Sequence, residues 1–260
     1  MRAVFRVAYR TAGVAGITLG DLAGMELARL ASPRDESEAV TRRWMRLYGR
    51  QILRLLGGRV ETGLPKGDYL PGRDASGKGR IFVMNHRSML DIYVYLAHVE
   101  AFALSRGDLA NWPIIGAAAR RVGTVFVDRE SKSSGRAAVA AMSEAVRNGK
   151  GVLVFPEGTT FAGDEVQPFR AGAFVAAART KAQIVPLGVA YEREDACFVE
   201  DSFLEHWKKL GGMKVVRLAL EHGEPIAPGD PEETRKMAHE AVQALVHQAR
   251  ARLNGTARAE

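Results

Sequence analysis

From Arg59 to Leu253 the chain alternates short apolar runs with longer segments in which apolar residues return every three or four positions. The short runs predict strands at Arg59–Thr62, Arg80–Met84, Ala101–Leu104, Thr124–Val127, Gly151–Phe155, Ile184–Ala190 and Lys214–Leu220. The longer segments predict helices at Ser88–Ala97, Ile114–Arg121, Ser134–Asn148, Ala171–Thr180 and Pro231–Leu253. Pro231 opens the last of these, with Asp230 as its N-cap. Strands alternating with helices of this length predict the α/β class, a layered domain with a largely parallel sheet. Pro186, which cannot donate to a ladder, predicts an edge or opening position for its strand.

The N-terminal segment has a different pattern. Residues 1–31 read as a helix of small and apolar residues, broken at Ser32-Pro33. A second helix, Ser37–Leu56, carries Trp44, Leu47, Tyr48, Ile52 and Leu55 at helical spacing, with Arg42, Arg43, Arg46, Arg50 and Arg54 among them. No stretch approaches the ~20 apolar residues of a membrane span. Arg2, Arg6 and Arg10 before a short apolar run resemble a signal peptide, but no small-residue cleavage site follows. The segment therefore reads as an interfacial element on an anionic membrane surface. The expected organisation is a two-helix amphipathic membrane element at 1–57, a globular domain at 58–254 and a tail at 255–260.

Composition narrows the function classes. The formal charge of +7 suits an anionic partner: nucleic acid, anionic lipid or a phosphorylated substrate. Nucleic acid is disfavoured, because no recognition motif is present and aromatics make up only 7%. The lone Cys197 excludes an internal disulfide framework, fits a reducing, cytosol-facing compartment, and reads as structural.

Several motifs could carry chemistry. Gly72 to Gly79 imitates a P-loop, but Gly79 replaces the magnesium-binding hydroxyl and the segment precedes a strand, so it reads as a surface turn. No Gly-x-Ser-x-Gly elbow and no His-Glu-x-x-His pair occur; His239 and His247 read as surface residues. Asn85-His86-Arg87-Ser88-Met89-Leu90-Asp91 follows the strand ending at Met84. In open α/β sheets ligands bind beyond the carboxyl ends of strands. A turn there can return Asp91 to one imidazole nitrogen of His86, leaving the other as a general base. Asp128-Arg129 ends a second strand, and Arg129 can bind phosphate or carboxylate bidentately. Phe155-Pro-Glu157-Gly158-Thr159-Thr160 ends a third, where Gly158 lets the backbone approach a ligand closely. Gln167-Pro-Phe-Arg170 follows at a helix start.

These residues resemble the glycerolipid acyltransferases typified by lysophosphatidate acyltransferase. The resemblance covers Ile81 to Ala190, with four blocks in order: His86 to Asp91, Phe126 to Arg129, Phe155 to Thr159, and Val185-Pro186-Leu187. It implies a mixed sheet flanked by helices and an N-terminal two-helix membrane anchor. It implies that 58–254 is a catalytic domain in which His86 deprotonates a lysolipid hydroxyl and Asp91 orients His86. The acyl donor is then a thioester of acyl carrier protein or coenzyme A, with no bound cofactor and no metal. Arg129 binds the acceptor's phosphate, Glu157 holds or shapes the acceptor pocket, and backbone N–H groups at Gly158 and Thr159 face the oxyanion. The implied role is phospholipid biosynthesis at the cytoplasmic face of the cell membrane, peripheral or monotopic.

One position departs from the pattern. The third block usually continues Glu-Gly-Thr-Arg, but Thr160 stands where the arginine belongs. Arg170, Arg106 or Arg129 can compensate. Glu-Gly-Thr-Thr is also similar to the version in lyso-ornithine-lipid acyltransferases. Lysophosphatidate remains the expected acceptor and lyso-ornithine lipid the alternative. A non-catalytic basic lipid-binding protein is the rival from another class; it needs the charges but not the His86–Asp91 pair.

Overall fold

The structure, a computed structural model, describes residues 2–64, 69–106, 116, 125–127, 132–199 and 202–257. Seven strands form one sheet: β1 (Gly58–Thr62), β2 (Ile81–Met84), β3 (Phe102–Arg106), β4 (Val125–Val127), β5 (Val152–Val154), β6 (Ile184–Tyr191) and β7 (Val216–His222), in the order β1-β7-β6-β2-β5-β3-β4. Neighbours from β6 to β4 run parallel, whereas β7 is antiparallel to β6 and parallel to β1. The sheet is therefore mixed, with a parallel centre.

Alternation along β2 sorts side chains into two layers. Phe82 and Met84 join a core with α2 (Ser37–Leu55) and α3 (Leu90–His98). Ile81 and Val83 join a core with α4 (Lys132–Arg147), α5 (Gly172–Thr180) and α7 (Pro231–Ala257). Both faces are covered, so the central strands are continuously apolar rather than alternating. The expected helix at Ile114–Arg121 lies outside the described residues, apart from Gly116. The Gly72–Gly79 segment is a turn, in which Asp74 accepts from the Ser76 and Lys78 backbones.

Two expectations need correction. Pro186 lies in the interior strand β6, between β2 and β7. Its position coincides with a slip in the ladder: from Leu187 to Ile184 is three steps, against four from His222 to Ile226 on the partner segment. Proline is tolerated at such a bulge because regular donation is interrupted there. The sequence reading also overlooked α6 (Phe203–Gly212), which is opened by a Ser202–Glu205 capping box.

Helices α1 (Arg2–Ala31) and α2 form an antiparallel pair. They approach closely at glycines: a Cβ on Gly24 would lie 2.3 Å from the Trp44 ring. Arg10 is buried, donating to carbonyls of Leu55 (2.9 Å), Gly211 (3.2 Å) and Met213 (2.6 Å). It thus caps the C-terminal ends of α2 and α6 together, where the helix dipoles favour a cation. Ile52, Leu53 and Leu56 belong to the main core. They share that core with Phe82 and Met84 of β2 and with Leu90 and Val94 of α3.

Candidate active site

The site lies beyond the carboxyl ends of β2, β5 and β6. Asn85, fully buried, continues β2 with its side chain: Nδ2 donates to the Val189 carbonyl (2.9 Å) and Oδ1 accepts from the Val189 N–H (2.8 Å). This two-way amide bond holds the following turn against β6. His86 comes next, its side chain 20% exposed. Its ring stacks on Phe155 from the end of β5, with centroids 4.0 Å apart and planes 17° apart.

Asp91, in the first turn of α3, has no solvent exposure. Its Oδ2 accepts from His86 Nδ1 (2.8 Å), Arg87 N (2.7 Å) and Ser88 N (2.9 Å). Its Oδ1 accepts from the Tyr191 hydroxyl at 2.6 Å. A carboxylate surrounded by donors assigns the proton of neutral His86 to Nδ1. The lone pair is then on Nε2, which has no protein partner among the described residues. Burial, followed by the Asp91 charge, pushes the Tyr191 phenol well above its ordinary range.

A second buried carboxylate fixes the same turn from below. Glu157 receives Arg87 Nη1 on both oxygens (3.1 and 3.0 Å), His86 N on Oε2 (2.6 Å) and Gln167 N on Oε1 (2.9 Å). Arg87 is 1% exposed, and its other nitrogens donate to the Gly163 and Glu165 carbonyls. The pair is thus desolvated and hydrogen-bonded, the condition under which removing one partner is costly. Arg87 directs its guanidinium to Glu157 and only its backbone to Asp91. Counting Asp91, Glu157 and Arg87, this buried unit carries a net charge of −1 while His86 is neutral.

The loop after β5 forms the outer rim. Gly158 has φ +85°, and a Cβ there would lie 2.4 Å from Cζ of Arg170, so the exposed guanidinium rests on this glycine. The Gly158 N–H donates to the Phe155 carbonyl (3.1 Å), and Phe161 N donates to the His86 carbonyl (3.1 Å), closing the loop over the turn. Thr159 is exposed and Thr160 half-buried. Cys197 is buried nearby; burial, with the Asp91 charge adding to it, pushes its thiol up to about 11, which keeps it protonated.

The structure thus brings together His86, Asp91, Glu157, Gly158, Thr159 and Arg170. Glu157 lies beneath the turn with all its contacts internal, and Gly158 has its N–H engaged. Arg129 lies outside the described residues, as does the side chain of Arg106. β4 runs parallel to β3 and ends at Val127, on the same sheet edge as His86. Sequence reasoning missed Tyr191, the Arg87–Glu157 pair, the Phe155 stack and His206, whose Nε2 lies 3.3 Å from Ser88 Oγ. The capping box at Ser202 signalled the helix that carries His206. Nothing local signalled Tyr191, a hundred residues from Asp91 in the chain.

The sequence model of the Acyltransferase family matches residues 65–190. A lyso-ornithine lipid O-acyltransferase of Rhodobacter capsulatus is 38% identical over 36% of this chain and 34% of its own length. The enzyme of that name from Pseudomonas aeruginosa is 29% identical over 64% of this chain and 66% of its own. A 1-acyl-sn-glycerol-3-phosphate acyltransferase of Neisseria meningitidis is 28% identical over 56% and 54%. The chain therefore spans about a third to two thirds of these relatives' lengths. The crystal structure of the acyltransferase PlsC from Thermotoga maritima has the same fold, with TM-score 0.71 and 20% identity over 96% of this chain and 98% of that one. Residues 65–190, which hold His86, Asp91 and Glu157, are the part of the chain that matches the Acyltransferase family.

Proposed function

We propose that the protein is a lysolipid O-acyltransferase in which His86 is the general base. The observation that carries this reading is the His86 Nδ1–Asp91 bond of 2.8 Å, which leaves Nε2 as the basic nitrogen at the strand edge. Nε2 takes the proton of a lysolipid hydroxyl as its oxygen attacks the carbonyl carbon of an acyl thioester. The tetrahedral intermediate then expels the thiolate, which takes the proton back from the imidazolium. No acyl-enzyme forms, and neither a metal nor a bound cofactor enters the sequence. Glu157 acts by holding the turn, through His86 N and Arg87. The developing oxyanion falls to the Thr159 N–H, since that of Gly158 is engaged by Phe155.

Lysophosphatidate is the leading acceptor. Arg170 provides a cation on the very loop whose usual arginine is replaced by Thr160, and Arg129 follows β4 in the sequence. Lyso-ornithine lipid is the second reading, favoured by Thr160 itself and by relatives of that name. Purified protein offered both lysolipids, with acyl carrier protein and coenzyme A donors, decides the matter. Consumption of thioester with neither acceptor overturns the enzymatic reading and leaves a lipid-binding protein. Thr160→Arg is expected to raise kcat/KM for lysophosphatidate relative to lyso-ornithine lipid about tenfold, the effect of one charge-assisted hydrogen bond. An unchanged ratio means that position 160 does not meet the head group.

The N-terminal helices suit a membrane surface, but not as the arginine pattern implied. No described helix is long and apolar enough to cross a bilayer. Arg10 is buried and Arg6 half-buried, and every exposed residue of α1 from 3 to 31 is uncharged. Phe5, Tyr9, Leu19, Leu27 and Leu30 are exposed and lie within an arc of about 80° on the helix. The exposed strip of α2 is Arg43, Leu47 and Arg54. One helix thus offers an apolar face and its neighbour the charges, a combination suited to the headgroup boundary of an anionic, cytoplasm-facing leaflet. Replacing Phe5, Leu27 and Leu30 with glutamine is expected to weaken co-flotation with phosphatidylglycerol vesicles on the order of a hundredfold or more. Undiminished flotation places the membrane contact elsewhere.

A further inference from the structure

Because the Arg87 guanidinium faces Glu157, no Lys or Arg side chain among the described residues meets the buried Asp91. Its charge is held by hydrogen-bond donors. Three of them, His86 Nδ1, Arg87 N and Ser88 N, belong to the turn and crowd onto Oδ2. The opposite oxygen, Oδ1, is met by one group from elsewhere in the fold, the Tyr191 hydroxyl. Tyr191 is the last residue of β6 and is buried. It stands two residues beyond Val189, whose backbone clasps Asn85. β6 therefore pins the catalytic turn at both ends, through Asn85 and through Asp91.

We propose that Tyr191 is a positioning residue of the active site: its phenol holds the Asp91 carboxylate in the orientation that keeps His86 Nδ1 protonated and Nε2 outward. Without it, Oδ1 is a buried, unsatisfied acceptor. The carboxylate can then satisfy both oxygens only by rotating and sharing the donors of the turn, which moves the bond to His86. The charged and titratable groups around this point are His86, Arg87 and Asp91 on the turn and α3, Glu157 after β5, Cys197 after β6 and His206 on α6. Among these the phenol is a neutral donor to Asp91. Burial and the adjacent carboxylate both oppose its ionisation.

The phenol is itself supported from α6. The Ser88 hydroxyl donates to the phenol oxygen, and His206 Nε2 lies 3.3 Å from Ser88 Oγ. If His206 carries its proton on Nε2, one consistent direction of donation runs from His206 through Ser88 and Tyr191 to Asp91. His206 is fully buried and stacks on Phe198, with centroids 4.6 Å apart. Phe198 N donates to the Arg87 carbonyl at 2.7 Å. The same helix carries Trp207, which donates to Thr11 of α1 (2.9 Å), so the orienting relay and the helix presented to the membrane share α6.

The role rests on the acyltransferase reading, and Tyr191→Phe in the full chain tests it with two readouts. The steady-state expectation is a fall in kcat of about 10–100-fold, the effect of one hydrogen bond to a charged group, with the lysolipid KM within about twofold. The second readout is the low-field proton resonance of His86 Nδ1 by NMR, which is expected to move or broaden. Ser88→Ala, which removes only the support behind the phenol, is expected to lower kcat in the same way by a smaller factor; it keeps the test alive if Tyr191→Phe does not fold. A folded Tyr191→Phe protein with kcat within about twofold of wild type, or with an unmoved Nδ1 resonance, overturns the proposal. So does Ser88→Ala raising KM with kcat unchanged. If the wild-type protein transfers no acyl group from either donor, it is the enzymatic reading that fails, and the Nδ1 resonance still decides whether Tyr191 orients Asp91.

Discussion

His86→Ala lowers acyl transfer by about 10²–10⁴-fold, the usual contribution of a positioned general base. The protein remains folded in this variant. The imidazole is partly exposed, and the turn keeps its backbone bonds from His86 N to Glu157 and from Arg87 N and Ser88 N to Asp91. The fall therefore appears in kcat, while binding of the lysolipid changes little. Some rate above the uncatalysed reaction persists, because orientation of the two substrates and the backbone donors of the 155–160 loop survive. Steady-state assay of purified variant and wild type, with circular dichroism as the folding control, measures both. Turnover equal to wild type removes His86 from the chemistry and with it the general-base assignment.

Arg87→Leu produces the largest expected loss of stability. It leaves Glu157 buried with an uncompensated charge, a situation that costs about 3–5 kcal/mol. Against a total stability of about 5–15 kcal/mol, that is a large fraction. At roughly 2–4 °C per kcal/mol for a chain near this size, the melting temperature falls on the order of 10 °C. Activity falls as well, because Glu157 also receives His86 N, and a carboxylate that seeks water pulls on the turn. The double variant Arg87→Leu, Glu157→Gln removes the stranded charge and recovers part of the loss. Recovery is incomplete, since the Gly163 and Glu165 carbonyls no longer have the Arg87 donors. A single variant that melts within about 2 °C of wild type shows that the pair contributes little, and that Glu157 can then be free to meet substrate.

These expectations separate two kinds of charge in the site. Glu157 has its countercharge permanently, in Arg87. Asp91 has hydrogen-bond donors and acquires a full countercharge only when His86 takes a proton. A permanent cation on Asp91 would weaken its stabilisation of the imidazolium in the transition state. Placing Arg87 between the two acids, with its guanidinium turned to one and its backbone to the other, keeps them distinct.

Much of this was legible in the chain itself. Short apolar runs and period-three-to-four patterning located the strands and helices, because a strand covered on both faces is apolar throughout and a helix buries one stripe. The His86–Asp91 pairing was legible because it is local: a turn of a few residues returns the acid to the ring. Gly158 was read as a point of close backbone approach; its φ of +85° and the Arg170 guanidinium that rests on it came from the structure. What could not be read are relations between strands. Pro186 pointed to an edge, yet it lies at a ladder slip in the interior, and strand order is invisible to local pattern. Arg10 was read with Arg2 and Arg6 as part of a basic interfacial segment, yet it caps two helix ends, because the acceptors for its guanidinium come from residues 55, 210, 211, 213 and 214.

The sequence by itself thus determined the His86–Asp91 pairing and the fold class, which follow from a short-range turn and from hydrophobic periodicity. Only the tertiary structure decided how that pair is held: Asn85 to Val189, Arg87 to Glu157 and Asp91 to Tyr191 are contacts across 70 to 104 residues. The physical reason is that a buried polar group needs a partner, and which partner meets it depends on sheet order and register rather than on any local motif.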